Sequence, residues 1–163
     1  MIRDVLHRGD YRLEIPCAVV KKVSDAGKIV QDLRDTIAHL KTKQAYRRGI
    51  GLAAPQIGEQ WRISVVENTA GEQFELINPK IIDHATEKQP IREGCISFLQ
   101  YRAMVPRYPF VRVRALNLQG DTYELEGEGD FAMLLQHELD HLDGILYVEH
   151  LPQGEAELVQ VNE

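Results

Sequence analysis

The sequence predicts an α+β fold in which antiparallel sheets pack around a central helix. Two pairs of strand-like segments, each pair joined by turn-forming residues, supply the sheets. Two segments with helical periodicity supply the helices, and the second is apolar enough to belong in the core. The length of 163 residues suits one ordinary domain, which can bury roughly 70% of the surface its unfolded chain exposes.

Residues 24–43 read as the first helix, with Ser24 as N-cap and Ile29, Leu33, Ile37 and Leu40 on one face. Gly49 to Gly58 holds three glycines and a proline and reads as a loop or irregular turn. Arg62 to Glu67 and Phe74 to Asn78 read as strands, with Asn68-Thr69-Ala70-Gly71-Glu72 turning between them. Phe110 to Leu116 alternates as a half-buried strand does, and Asn117 to Asp121 turns it into a second strand, Thr122 to Glu126. Phe131 to Leu142 is the second helix, with Asp130 placed to cap it and Gly144 to end it. Beyond Leu151-Pro152-Gln153-Gly154, the patch Glu157 to Val161 either pairs as an edge strand or frays. No repeat, low-complexity stretch or long linker is visible. Residues 1–163 therefore read as a single domain with a short C-terminal tail from about residue 152.

Apolar residues make up 44% of the chain and charged residues 27%, which argues against wholesale disorder. A formal net charge of −6 disfavours a general nucleic-acid or anionic-membrane binder, while leaving room for a local basic patch. No apolar run can span a bilayer, and the first residues lack a signal-peptide core. The two cysteines, Cys17 and Cys95, make no disulfide framework. The expectation is a soluble cytoplasmic protein whose cysteines serve packing or chemistry.

Chemistry concentrates in Gln136-His137-Glu138-Leu139-Asp140-His141-Leu142. His137 and His141 lie one helical turn apart on nearly the same face. Both imidazoles can thus reach one metal ion at roughly 2.0–2.1 Å. Glu138 sits about 100° round the helix, where a general base can flank the ion without ligating it. Two histidines and two acids would be costly to bury without partners in so apolar a helix, and a metal supplies them. A third protein ligand is needed. Downstream, His150 has the wrong spacing for an extended zincin, and Glu155 and Glu157 remain candidates for other zincin proteases. Upstream, Cys95 in Arg92-Glu93-Gly94-Cys95-Ile96-Ser97 offers a thiolate beside a turn-permitting glycine, or else a small buried hydrophobe.

Three segments together resemble the peptide deformylase family. Gly49-Ile50-Gly51-Leu52-Ala53-Ala54-Pro55-Gln56 is similar to its first motif, GxGLAAPQ. Glu93-Gly94-Cys95-Ile96-Ser97 is similar to its second, EGCLS, with Ile96 where leucine is usual. The segment Gln136 to Leu142 is similar to its third, QHExDHL, and the three occur in the family's order. The likeness runs from near residue 1 to about Leu151. It implies a metal-dependent hydrolase that removes the formyl group from the N-terminal formyl-methionine of nascent polypeptides. It implies Cys95, His137 and His141 as metal ligands with water as the fourth. Glu138 would be general base and acid for that metal-bound water, and Gln56 and the N–H of Ile96 would be oxyanion donors. One divalent ion is implied, natively Fe²⁺, with Zn²⁺, Ni²⁺ or Co²⁺ able to occupy the same site. Gly51 lets the first motif approach the metal closely. A methionine pocket is expected from Ile50, Gly51, Ile91, Met133 and Leu134, and Arg102 is expected on the substrate backbone. The expected partners are N-formylmethionyl peptides and the ribosome exit region, with no sequence-specific nucleic-acid binding and no membrane, for a monomer in the cytoplasm.

The chain also departs from the family. Arg48 stands where an acid commonly precedes the first glycine, Leu99 where many members have proline, and Met133 where many have arginine. Together with Arg102, Arg48 would place two positive charges on the pocket rim and favour peptides with nearby acids. Two other readings stay open. One is a metalloprotease with no role for Cys95; the other is a non-catalytic protein with a structural metal, which would need neither Glu138 nor Gln56. A Cys17–Cys95 bridge would remove the thiolate a metal needs, so none is expected.

Overall fold

The computed structural model describes residues 1–161. Helix α1 spans Gly27–Lys41, and its periodic face, Val30, Leu33 and Ile37, is fully buried. A 3-10 turn, Val23–Ala26, precedes it, and Ala26 takes the N-cap position without a side-chain bond. Ser24 therefore does not cap the helix. The chain is already coiled there, with Asp25 N–H bonded to Lys22 O, so Ser24 is not the half-in flanking residue that capping requires.

Among the described residues eight strands follow: β1 Ile50–Ala53, β2 Ile63–Glu67, β3 Gln73–His84, β4 Gln89–Glu93, β5 Tyr101–Arg107, β6 Phe110–Leu116, β7 Thr122–Glu128 and β8 Val159–Gln160. They form a five-stranded sheet, β1-β2-β3-β6-β7, and a three-stranded one, β4-β5-β8, with every pairing antiparallel. Helix α2, Gly129–Leu142, lies between the sheets, as the expected α+β architecture requires.

Several boundaries differ from the sequence expectation. Residues 49–58 are not a plain loop: they hold β1 and then a 3-10 turn, Ala54–Ile57. The register from Ile50↔Glu67 to Ala53↔Ser64 supplies tertiary pairing that overrides the local glycine signal. Strand β3 runs past Asn78 through two bulges. Asn78 adopts φ +50, which asparagine tolerates, and its side chain bonds both Val20 N–H and Val20 O at 2.9 Å. Pro90 and Pro106 disguise β4 and β5. They face each other across the ladder, a non-hydrogen-bonded pair in which neither needs an N–H. Asp130 is not the cap of α2. Glu128 holds that position, and Asp130 lies in the first turn, where negative charge is favoured. Gly144, at φ +73, ends the helix as expected. The tail takes its edge-strand alternative, with β8 on Tyr101 and Arg102 of β5.

Strand β2 is buried at every position. Ile63 and Val65 pack into the layer beneath α1, while Val66 packs with Ala132, Leu135 and Leu139 of α2. A third cluster, including Phe98, Val105, Leu146 and Tyr147, backs the segment that carries Cys95. Among the described residues, no helix is long and apolar enough to cross a membrane.

Candidate metal centre

Helix α2 buries Gln136, His137, Glu138 and His141. Gln136 ties the helix to the β5–β6 turn, donating to Tyr108 O at 2.8 Å and accepting from Tyr108 N–H at 3.0 Å. His137 Nε2 and His141 Nε2 are 3.1 Å apart, and Cys95 Sγ lies 3.3 Å from His141 Nε2. Cys95 follows β4 and precedes a 3-10 turn, Ile96–Phe98, whose Phe98 N–H returns to Cys95 O. The three donor atoms fall within 4.8 Å of one another, and all three residues are buried.

That donor set fits one divalent ion. One thiolate and two imidazoles at these separations suit a tetrahedral site with bonds of roughly 2.0–2.3 Å. The ring orientations agree. His137 Nδ1 faces Glu93 Oε1 at 2.5 Å, so Nδ1–H donates outward and the Nε2 lone pair points into the cluster. His141 Nδ1 is buried without a hydrogen-bond partner among the described residues. Burial pushes both histidine pKa values down. Cys95 and Glu93 reverse this for His137, whose pKa lies well above the ordinary value. At His141 burial and the adjacent His137 leave the pKa well below it.

Behind His137 runs a chain of polar groups, buried at Glu93 and Arg107 and half-buried at Asp140 and His150. Arg107 donates to Glu93 at 2.8 and 2.6 Å and to Asp140 at 2.6 Å, and Asp140 meets His150 Nε2 at 2.8 Å. Burial alone would raise the Glu93 pKa, but Arg107 and His137 bring it down to about 2. Residue types alone assign Arg107 no role, because nothing local marks an arginine in a proline-containing segment as buried. The β4–β5 register pairs Arg107 with Gln89 and Glu93 with Ala103, so Arg107 and Glu93 share one buried face and the long guanidinium reaches along it to the carboxylate.

Glu138 is 1% exposed, and burial pushes its pKa up to about 7. Ser64 Oγ lies 3.3 Å from its Oε2 and 3.1 Å from Leu52 O, so the single hydroxyl proton serves one acceptor at a time. Gly51 makes room for this carboxylate: a Cβ there would sit 2.5 Å from Glu138 Oε1. Gln56 is also 1% exposed. Its Oε1 accepts from Ala53 N–H at 2.9 Å, which turns its NH₂ toward Ser97 Oγ at 3.1 Å and Cys95 Sγ at 3.7 Å. Ile96 opens the 3-10 turn, so its N–H lies where such turns leave donors without an internal partner.

A cleft of about 700 Å³ opens over these groups. Gly51, Gln56, Cys95, Ile96, His137 and Glu138 line it, whereas His141 is buried and does not. Ile50, Met133, Leu134 and Arg102 line it as well. Ile91 does not. On β4 the neighbouring Arg92 faces the cleft, and strand alternation turns Ile91 to the other side. The expected pair of rim charges is corrected at Arg48, which binds Asp130 through Nε at 2.9 Å and Nη2 at 2.5 Å. Cys17 and Cys95 are both free. Cys17 packs against Ala53 and Leu142, and burial raises its thiol pKa to about 11. Glu155 pairs with Arg8, and Glu157 accepts from Gln153 N–H, so neither joins the cluster.

The family model for polypeptide deformylase matches residues 2–157. The peptide deformylase of Heliobacterium modesticaldum is 40% identical over 157 residues, covering 96% of this chain and 98% of that one. A crystal structure of a peptide deformylase from Legionella pneumophila superposes with a TM-score of 0.84 at 35% identity, covering 96% of this chain and 90% of that one. A class I type b peptide deformylase from Acinetobacter baumannii, solved with Met-Ala-Ser bound, superposes with a TM-score of 0.80 at 29% identity, covering 93% and 99%. Likeness of this extent, in sequence and in fold together, establishes that the chain belongs to the polypeptide deformylase family.

Proposed function

We propose that this chain is a metal-dependent hydrolase that removes the formyl group from formyl-methionyl nascent peptides, with the cleft residues acting as follows. Cys95, His137 and His141 hold one divalent ion. Fe²⁺ is the native choice and Zn²⁺, Ni²⁺ or Co²⁺ are alternatives, since thiolate and imidazole suit several of these ions. When bound, the ion supplies Lewis acidity, drawing the pKa of a water toward about 7. Glu138 accepts the proton of the attacking water and returns it to the departing amine. Gln56, through its side-chain NH₂, and Ile96, through its N–H, donate to the formyl oxygen as charge grows there. One such donor is worth about 3 kcal/mol in other hydrolases. Ile50, Met133 and Leu134 offer an apolar wall to the methionine side chain, and Arg102 reaches the substrate backbone. The Acinetobacter relative, solved with Met-Ala-Ser, supports a methionine-first peptide as the product class.

One observation carries this reading. The donor end of Gln56 and the carboxylate of Glu138 share a cleft with the Cys-His-His cluster, and a structural metal site has no use for either group. We further propose that residues 1–163 act as one catalytic domain, monomeric and cytoplasmic, working near the ribosome exit region where its substrate emerges. The test is formate release from formyl-Met-Ala-Ser by anaerobically prepared protein, with metal analysis of the same sample. Release with one metal per chain is expected. Cys95→Ala loses both, and Cys17→Ala keeps the metal. No release with Fe²⁺, Zn²⁺, Ni²⁺ or Co²⁺ would refute the reading.

A further inference from the structure

The cleft is lined by five basic side chains, Lys43, Arg47, Arg48, Arg92 and Arg102. Among the described residues its single acidic lining residue is Glu138, buried at the floor. This asymmetry is not inherited from composition, because the whole chain carries −6. The five cations come from the segment after α1, from β4 and from β5, so the fold itself gathers them. Arg48 is compensated by Asp130, and Arg102 donates to Tyr101 O at 2.7 Å. Lys43, Arg47 and Arg92 are different. They are exposed, so they stand at the mouth, and among the described residues none has a carboxylate within ion-pair distance. Like charges around a concave, low-dielectric mouth focus a positive field into it. They line a concavity that ends on the catalytic floor, not a convex face, so the ligand they meet is the one entering the cleft. A peptide whose methionine lies against Met133 and Leu134 must pass its following residues across this mouth.

We propose that Lys43, Arg47 and Arg92 make the chain selective for formyl-methionyl peptides that carry aspartate or glutamate directly after the methionine. The proposal rests on the deformylase reading above and adds the substrate class. The selectivity is electrostatic: it appears chiefly in KM and weakens with salt. The test compares formyl-Met-Asp-Asp-amide with its isostere formyl-Met-Asn-Asn-amide on metal-loaded enzyme. Both are amidated so that a terminal carboxylate does not mask the side chains. Exposed ion pairs of this kind predict a kcat/KM ratio of roughly 5- to 20-fold in favour of the acidic peptide at about 0.02 M salt, falling toward unity at about 0.5 M. The Arg47→Gln/Arg92→Gln double variant should melt like the parent and lose most of the ratio. Equal turnover of the two peptides at low salt overturns the proposal, as does a ratio that survives both high salt and the double substitution. Equal turnover with salt-sensitive inhibition by a short RNA would assign the mouth to a nucleic acid instead. Absence of formate from formyl-Met-Ala-Ser would overturn the deformylase reading itself, a separate outcome.

Discussion

Replacing Arg107 with methionine removes a guanidinium that is 3% exposed and leaves Glu93, fully buried, with His137 as its remaining partner. Three short charge-assisted bonds disappear, two to Glu93 and one to Asp140. Adding them individually would overstate the loss, because the arginine no longer has to be desolvated. Breaking one side of a buried pair costs about 3–5 kcal/mol, most of it from the charge left behind. For a chain of this size that is a fall in Tm of roughly 6–20 °C. Urea unfolding of the metal-free protein at neutral pH, scored at unchanged slope, measures it directly. Arg107→Met combined with Glu93→Leu removes both charges and should recover a substantial part of the loss. The same double variant frees His137 Nδ1, so its metal affinity should fall by about 10- to 100-fold even as stability returns. A single-variant loss below about 1 kcal/mol would refute the buried-charge argument. So would a double variant at least as unstable as the sum of its parts.

Two further outcomes follow from the geometry. Gly51→Ala places a Cβ 2.5 Å from Glu138 Oε1 and 2.7 Å from its Cγ. Displacing that carboxylate by even about 1 Å should lower kcat about 100-fold while metal content stays at one per chain, and a kcat within about threefold of the parent would show that Glu138 has slack. Asp32 is buried, and Lys28, the chain's amino group and Arg3 hold its carboxyl well below the usual range. A depressed carboxyl stabilises the fold above its unfolded pKa of about 3.9 and loses that contribution as pH falls toward its lower native value. Asp32→Asn should therefore destabilise at pH 7 and flatten the acid limb of the stability curve; a parallel curve would contradict the assignment.

The second helix, the β6–β7 hairpin and the paired histidines were legible because their signals are local, whereas Cys95 was singled out as the third ligand only through the family resemblance. Alternation from Phe110 to Leu116 and the i, i+4 spacing of His137 and His141 need no knowledge of the rest of the chain. The glycine-rich motif concealed β1 because its strand character comes from pairing with β2, a tertiary effect. The prolines concealed β4 and β5 for the same reason, and with them Arg107 and the correct facing of Arg92 over Ile91. Arg48 does line the cleft, but its neutralising partner, Asp130, lies on an element distant in sequence, so its compensation is not legible locally. Short-range patterns reported which residues carry chemistry; long-range packing decided which charges stay uncompensated.

Strand β2 separates a buried central layer from an exposed periphery. It is covered on both faces, and its Ser64 touches Glu138 from the central layer of the protein. Amides in such a layer open only with global unfolding, whereas exposed peripheral segments open at far lower free energy. The Glu138 carboxylate is thus held against a fully buried strand, while Lys43 and Arg47 sit on an exposed stretch outside any strand or helix. Sequence change at the mouth would therefore leave the packing around Glu138 undisturbed.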